Sequence, residues 1–365
     1  MDPQDTVMVA DTGNRRVQIF NVAASINNDD RASVSITSGL NTPASITTNG
    51  SGFWVADEGL NQLLHYPVVS QLGLVNNASN ASQPALQPFS AFVDSYGNLL
   101  VSDNANRVLY FAPQVVVVSS ASYSPRAVAA GTIVSVFPQT QASSSTMANI
   151  IAAGTGTFSG LPLPNVLGDT QVLVNNTPAT LFYVSPGQIN MVLPNELSTG
   201  GTANLSVVRQ STGEIYGSAE LQLASADPAM FTMNQGGTGQ VSAINFVDGT
   251  VNSPANPVAR GQVIELYGTG VGPVAGAPPD GQAPSGAVPA ATLPQIVLGT
   301  STSFLPASNI LYSGLAPGLV GVWQINLMIP TTAPTGGSVA IRIFQNSIPS
   351  IDPGINQGAT AIAIK

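Results

Sequence analysis

The chain has 365 residues, with nine Lys and Arg against eighteen Asp and Glu, a formal net charge of −9, one His and no Cys. This balance argues against nucleic acid and anionic membrane surfaces as partners, since both need a clustered basic face, and the missing Cys removes disulfides, thiolate chemistry and Cys-ligated zinc together. A hydrophobic content of 44% supplies a large core, while a charged content of 7% suits half-exposed strands better than helices.

Thirty-six Gly and 28 Pro are spread as turn punctuation, and a chain of this length predicts about two or three domains. No apolar run approaches the roughly 18 residues that span a bilayer, and no signal-peptide pattern opens the chain.

From the N-terminus, a strand ending in Val-Ala-Asp or Val-Ser-Asp recurs every 46 residues, as Val9-Ala10-Asp11, Val55-Ala56-Asp57 and Val101-Ser102-Asp103. Each copy continues through a polar turn into a second apolar strand: Val17-Gln18-Ile19-Phe20, Leu63-Leu64-His65-Tyr66 and Val108-Leu109-Tyr110-Phe111. With the alternating segments between them, each period holds about four short strands, the content of one β-propeller blade. The turns carry a further pattern. Asp11-Thr12-Gly13-Asn14-Arg15-Arg16 is matched by Asp103-Asn104-Ala105-Asn106-Arg107, one residue shorter, while Asp57-Glu58-Gly59-Leu60-Asn61-Gln62 lacks the Arg.

These turns resemble the NHL repeat family, and the resemblance implies propeller blades over residues 1–113. A propeller closes with about four to eight blades, more than the periods present. The expectation is therefore that Met1 lies inside a longer gene product, the alternative being that the blades form an open arc.

The region from 114 onward contains its own duplication. Val128-Ala129-Ala130-Gly131-Thr132-Ile133-Val134-Ser135-Val136-Phe137 returns as Val258-Ala259-Arg260-Gly261-Gln262-Val263-Ile264-Glu265-Leu266-Tyr267. Later, Tyr183-Val184-Ser185-Pro186-Gly187-Gln188-Ile189-Asn190 returns as Tyr312, then Ala316-Pro317-Gly318, then Gln324-Ile325-Asn326. Two blocks repeating in order mean two copies of one module. Short β-branched segments with turns every eight to twelve residues predict antiparallel sandwiches, over 114–225 and 226–365. The second is interrupted by a Pro/Ala/Gly-rich insertion over 270–294, either a binding loop or a passive excursion.

On Ala121-Ser122-Tyr123, Ser185-Pro186-Gly187-Gln188-Ile189-Asn190, Asn252-Ser253-Pro254-Ala255-Asn256-Pro257 and Tyr312-Ser313-Gly314-Leu315-Ala316-Pro317-Gly318, residues 119–365 resemble the Solibacter-type C-terminal domain. Its halves resemble immunoglobulin-like modules of the IPT/TIG kind. That resemblance implies architecture and an exported location, secreted or at the cell surface, rather than a chemistry. The fold class expected for the whole chain is all-β: partial propeller blades followed by two immunoglobulin-like β-sandwiches.

Reactive groups are scarce. His65 lies mid-strand with no Gly-x-Ser-x-Gly nucleophile elbow in the chain, so no catalytic residue and no cofactor is assigned. Asp11, Asp57 and Asp103 occupy equivalent places and read as turn-fixing acceptors rather than a carboxylate ring, with Asn14 and Arg16 in the same motif. Asp29, Asp30 and Asp94 are weak candidates for a hard cation. The amides of Gln188, Asn190, Gln324 and Asn326 are expected to bond loop backbone, with the Ile between them facing the core. The competing reading gives those amides to sugar hydroxyls, with Tyr183, Tyr312 or Trp323 as a stacking surface and Trp323→Ala abolishing binding.

The function expected is a non-catalytic binding, adhesion or spacer protein whose partner is a protein or glycan at the cell exterior. The alternatives are a propeller lyase or hydrolase with its catalytic residues in further blades, and a carbohydrate-binding module in the C-terminal pair.

Overall fold

A computed structural model describes residues 6–21, 32, 34–48, 52–67, 79–81, 87–93, 99–111, 115–138, 152, 154–213, 215–350 and 359–365. Among these the protein is all-β, with several open sheets, none closed into a barrel, and no α-helix. The described residues fall into two compact units, one up to Phe111 and one from Val115.

The first unit consists of three antiparallel sheets, one per sequence period. They are Thr6–Asp11, Arg16–Asn21, Val34–Ile36; then Pro43–Thr48, Gly52–Asp57, Gln62–Pro67, Ser79–Ala81; then Pro88–Val93, Leu99–Asp103, Arg107–Phe111. The middle sheet shows why its strands read as nearly continuous apolar runs. Phe53 and Val55 face the first sheet beside Val17, Ile19 and Ile36, while Ala56 and Leu63 face the third beside Val93, Leu99 and Val101. Both faces are buried, so hydrophobic-polar alternation is lost. Side chains also tie one period to the next: the Val93 amide donates to Thr47 Oγ1 at 2.8 Å, and Asn104 Nδ2 donates to Glu58 Oε1 at 2.9 Å.

Each Asp-containing turn ends in one residue with left-handed backbone, Arg15 (φ 53), Asn61 (φ 54) and Asn106 (φ 59). Asn tolerates this region, whereas an Arg side chain there costs about 1–2 kcal/mol. Arg15→Gly is therefore expected to stabilise the first unit by about 0.5–1 kcal/mol in urea unfolding, the gain being reduced by glycine's freer unfolded chain. Asn61→Gly should gain nothing. Equal effects at both positions would refute this account.

The second unit has two large cores and a smaller apolar cluster of Ile133, Leu163, Val192 and Val320 where its halves meet. In its first half, one sheet runs Val115–Ser119, Ile133–Pro138, Gln188–Val192, Thr180–Ser185, Gly156–Thr157, and another runs Thr177–Pro178, Thr170–Val174, Thr202–Arg209, Ile215–Gln222. Val134, Val136, Ile189 and Met191 of one meet Val172, Leu205, Val207 and Tyr216 of the other. In the second half, a sheet centred on Val263–Thr269 and Trp323–Met328, with Ile310–Leu315 at its side, shares a core with Gln295–Leu298, Gly336–Gln345 and Thr360–Ile364. The repeated blocks fall on equivalent strands: Ile133–Pro138 pairs with Gln188–Val192 as Val263–Thr269 pairs with Trp323–Met328.

The two halves meet along a built junction. Thr269 Oγ1 accepts from the Ile133 amide and donates to the Gly321 carbonyl, both at 2.9 Å. The segment 270–294 reaches back to the first half, where Asp280 Oδ1 accepts from the Asn195 amide at 3.1 Å and the Gly281 carbonyl accepts from the Leu163 amide at 2.8 Å. Part of it, Val288–Pro289, pairs with Ile310–Leu315. The insertion is thus a strap between halves.

Candidate functional site

The three repeat carboxylates are occupied by hydrogen-bond donors of their own turns and, at Asp57 and Asp103, of the segment just before the sheet's first strand. Asp57, wholly buried, accepts from the backbone amides of Asn41, Thr42 and Leu60 at 2.8–3.0 Å. Asp11 takes Arg16 Nε at 2.7 Å and Asn14 Nδ2 at 2.9 Å. Asp103 takes the Ala105 amide at 2.8 Å and Arg107 through Nε and Nη2. Hydrogen bonds, led by the Arg16 guanidinium at Asp11 and the Ala105 amide at Asp103, hold both carboxyls below their usual range. Asp57, whose turn lacks the Arg, is held by its three backbone amides. His65 lies against Trp54, ring centroids 4.4 Å apart, and burial lowers its pKa.

Asp29, Asp30 and Asp94 lie outside the described residues. No group of three or more His, Cys, Asp or Glu fit to hold a metal occurs among the described residues.

The repeated Gln-Ile-Asn segments sit on the central strands of the two equivalent sheets. Ile189 and Ile325 are fully buried in their cores. Among the described residues the amides on the opposite face do not bond loop backbone, which corrects the sequence expectation. Gln188 Nε2 donates to Asn190 Oδ1 at 2.7 Å, and Ser135 Oγ on the next strand donates to the same oxygen at 2.9 Å. In the second copy Gln324 Nε2 donates to Asn326 Oδ1 at 2.8 Å and to Glu265 Oε1 at 3.3 Å. Period-two geometry puts residues i and i+2 on one face, so the two amides of each motif meet each other before they meet a loop.

Around Gln324 and Asn326 a polar and aromatic face assembles. Glu265 and Tyr312 flank Asn326 across the two neighbouring strands. Tyr267, opposite Gln324, donates its hydroxyl to Glu265 Oε2 at 3.2 Å, and burial followed by the Glu265 charge pushes its pKa up to about 12. Tyr312 Oη donates to the Leu315 carbonyl at 2.6 Å and accepts from the Val288 amide at 3.2 Å. Gly314, beside it, has no side chain to lift the ring from the sheet. Glu265, Tyr267, Tyr312, Gln324 and Asn326 are all half-buried. Among the described residues Asn326 Nδ2 and Gln324 Oε1 have no intramolecular partner, so the face retains a free donor and a free acceptor beside one carboxylate.

In the first copy Tyr183 is cross-strand from Asn190 and 36% exposed. Asn190 there lines a cleft of about 320 Å³ with Ser120, Ile133, Phe182, Phe231, Val320 and others, so junction residues of the second half crowd this copy of the face.

Trp323 is not a stacking surface. It is 0% exposed inside the second core, with Nε1 donating to Ser313 Oγ at 2.9 Å, and a ring with no accessible face cannot stack on a sugar. It sits one residue before Gln324, so strand alternation turns it inward. The sequence reading did not single out Glu265, Tyr267, Arg126 or Asp227. The first two were visible inside the duplicated block, where Ser135 and Phe137 stand in the other copy. The last two form a junction pair that only the fold brings together.

No protein-family model matches the chain, and no curated protein matches it. Among solved structures, a surface glycan-binding protein from Prevotella bryantii aligns at 14% identity over 65% of this chain and 39% of its own, with a TM-score of 0.20. The SGBP-B protein of the Bacteroides ovatus mixed-linkage glucan utilization locus, in complex with a heptasaccharide, aligns at 12% identity over 73% and 53%, with a TM-score of 0.27. An extracellular domain from B. thetaiotaomicron aligns at 9% identity over 100% and 43%, with a TM-score of 0.23. The chain spans less than two thirds of each of these, and TM-scores of this size establish no common fold. Among the described residues no helix is long and apolar enough to cross a membrane.

Proposed function

We propose that the protein is an exported, non-catalytic binding protein in which propeller-type blades precede two immunoglobulin-like modules, and that the second module recognises neutral polyhydroxylated ligands, as glycans are. The observation that carries this reading is the open face of Glu265, Tyr267, Tyr312, Gln324 and Asn326. A sugar offers adjacent hydroxyls that each donate and accept, together with an apolar C–H face. The unpartnered Asn326 Nδ2 and Gln324 Oε1 and the Glu265 carboxylate supply the complementary groups, and the half-buried tyrosine rings supply the apolar contact. With one carboxylate and no Lys or Arg in the set, neutral ligands are favoured over anionic ones. The blade reading is supported by the 46-residue period with its matching sheets, and the module reading by the paired equivalent strands.

Calorimetric titration of the whole chain against a panel of neutral oligosaccharides tests this. The double variant Gln324→Ala/Asn326→Ala is expected to weaken binding at least about 10-fold, the effect of losing one or two hydrogen bonds to the ligand, while the protein stays folded, with a stability loss of about 1 kcal/mol from the hydrogen bonds these side chains make to each other and to Glu265. Binding to no member of the panel, or undiminished binding by the double variant, would refute the proposal.

A further inference from the structure

The Gln-Ile-Asn face occurs twice in the second unit, and the two copies differ in what surrounds them. In the second copy Asn326 stands on the open sheet beside Glu265. In the first copy Ser135 stands in place of Glu265 and Phe137 in place of Tyr267, and Asn190 lines the cleft of about 320 Å³. The apolar walls of that cleft come from both halves of the unit, Phe182 from the first and Phe231, Leu319 and Val322 from the second. Phe182, Phe231 and Val322 pack on the buried cluster at the junction, and the Thr269 hydrogen bonds to the Ile133 amide and the Gly321 carbonyl hold the two sides together. Two polar groups are left over to the cleft. Asn190 Oδ1 can only accept, so Ser135 Oγ donates its one proton there at 2.9 Å. Ser135 must then accept from Ser120 Oγ, 2.8 Å away. Ser120, also in the lining, keeps an unused acceptor and Asn190 keeps Nδ2 as an unused donor, neither having a further side-chain partner among the described residues. None of the described lining residues carries a charge.

We propose that this cleft binds a neutral small molecule made of an aromatic ring body and one hydroxyl or amide group. The body fills the space between Phe182, Phe231, Leu319 and Val322, where the two phenyl rings offer aromatic contact. The polar group accepts from Asn190 Nδ2 and donates to Ser120 Oγ. A carboxylate brings no proton for Ser120 and leaves its charge without a counter-ion, while a sugar presses hydroxyls against walls that cannot bond them. The volume stands at the small end of the range for ligand sites, about 300–1,000 Å³, which suits one or two rings rather than a longer chain. The duplicated amide pair thus serves two chemistries, an open polar face in one copy and an apolar cleft in the other.

The probe is 2-naphthol, two fused rings with one hydroxyl. Calorimetric titration of the whole chain at pH 7 is expected to give a dissociation constant of about 100 µM or tighter. The compounds 2-naphthoate, charged and without a proton to donate, and 2-methoxynaphthalene, neutral and without that proton, should each bind at least about 10-fold more weakly. Leu319→Glu should weaken 2-naphthol at least about 10-fold by setting a charge in the apolar wall, with an unchanged melting temperature because Leu319 is 47% exposed. Ser120→Ala should weaken 2-naphthol about 5- to 10-fold and leave 2-methoxynaphthalene unaffected, a difference that local loss of structure does not produce. No binding of 2-naphthol, undiminished binding by Leu319→Glu, or equal weakening of both probes by Ser120→Ala would each overturn the proposal. Leu319→Glu should bind neutral oligosaccharides as the wild type does, so the cleft and the open face of the second module are tested separately.

Discussion

Arg126→Ala is expected to destabilise the unit beginning at Val115 by about 3 kcal/mol at pH 8 and by clearly less at pH 5. Arg126 enters from the first half of that unit, and its Nε donates to Asp227 Oδ1. Its Nη1 donates to the Pro349 carbonyl at 2.8 Å and its Nη2 to the Pro228 carbonyl. One guanidinium thus closes the junction against three acceptors of the second half. Asp227 is 0% exposed, and its Oδ2 has no hydrogen-bond partner. Removing the Arg leaves that carboxylate buried without a counter-charge, the case in which breaking an ion pair costs most.

The pH dependence follows from the same geometry. Burial, only partly opposed by Arg126, raises the Asp227 pKa to about 7. An acid whose folded pKa exceeds its unfolded value near 3.8 binds its proton more tightly when folded. Its contribution to stability is therefore present at low pH and is lost as pH rises from about 4 to about 7. In Arg126→Ala, Asp227 escapes much of the penalty at pH 5 by staying protonated. Asp227→Asn should flatten the dependence of unfolding free energy on pH over this range. Urea unfolding of the single variants at pH 5 and pH 8 checks all three statements, and an Arg126→Ala cost that is the same at both pH values would exclude Asp227 as its source.

Trp323→Ala is expected to unfold or severely destabilise the second half, by about 3–5 kcal/mol, rather than to reveal a binding surface. The indole is wholly buried among Met230, Leu266, Ile325 and their neighbours. Its removal leaves a large cavity and strips Ser313 Oγ of a donor. Trp323→Phe should cost less, since it retains most of the volume and loses only the hydrogen bond and part of the ring. Thermal unfolding gives the costs directly. Tryptophan fluorescence supplies an independent check, because Trp323 and Trp54 are the two tryptophans and the indole at 323 should resist iodide quenching. A stable Trp323→Ala protein with full quenching in the wild type would place the ring outside the core.

The all-β character was legible because it rests on local information. Short β-branched runs separated by Gly, Pro and Asn turns exclude long helices whatever the chain packs against. The period of the first unit and the duplication of the second were legible for a related reason, since repeated strands must repeat their inward residues. Ile189 and Ile325 were assigned to the core from alternation alone, and both are buried. Trp323 shows the limit. The same alternation that buries Ile325 buries Trp323 two residues earlier, although the polar residues beside the ring suggest an exposed stacking surface. The amides differ from the expectation because their nearest partners lie on the neighbouring residue of the same face and on the adjacent strand.

By itself the sequence determined strand content, the repeats, and the inward side of regularly alternating strands such as Gln188–Val192, because these depend on side-chain period and turn chemistry within a few residues. Tertiary structure alone decided that Arg126 meets Asp227 across 101 positions of chain. It also decided that the insertion straps one half to the other. Those outcomes depend on which surfaces come to face each other, and the free energy of burial belongs to the pair of surfaces rather than to either segment.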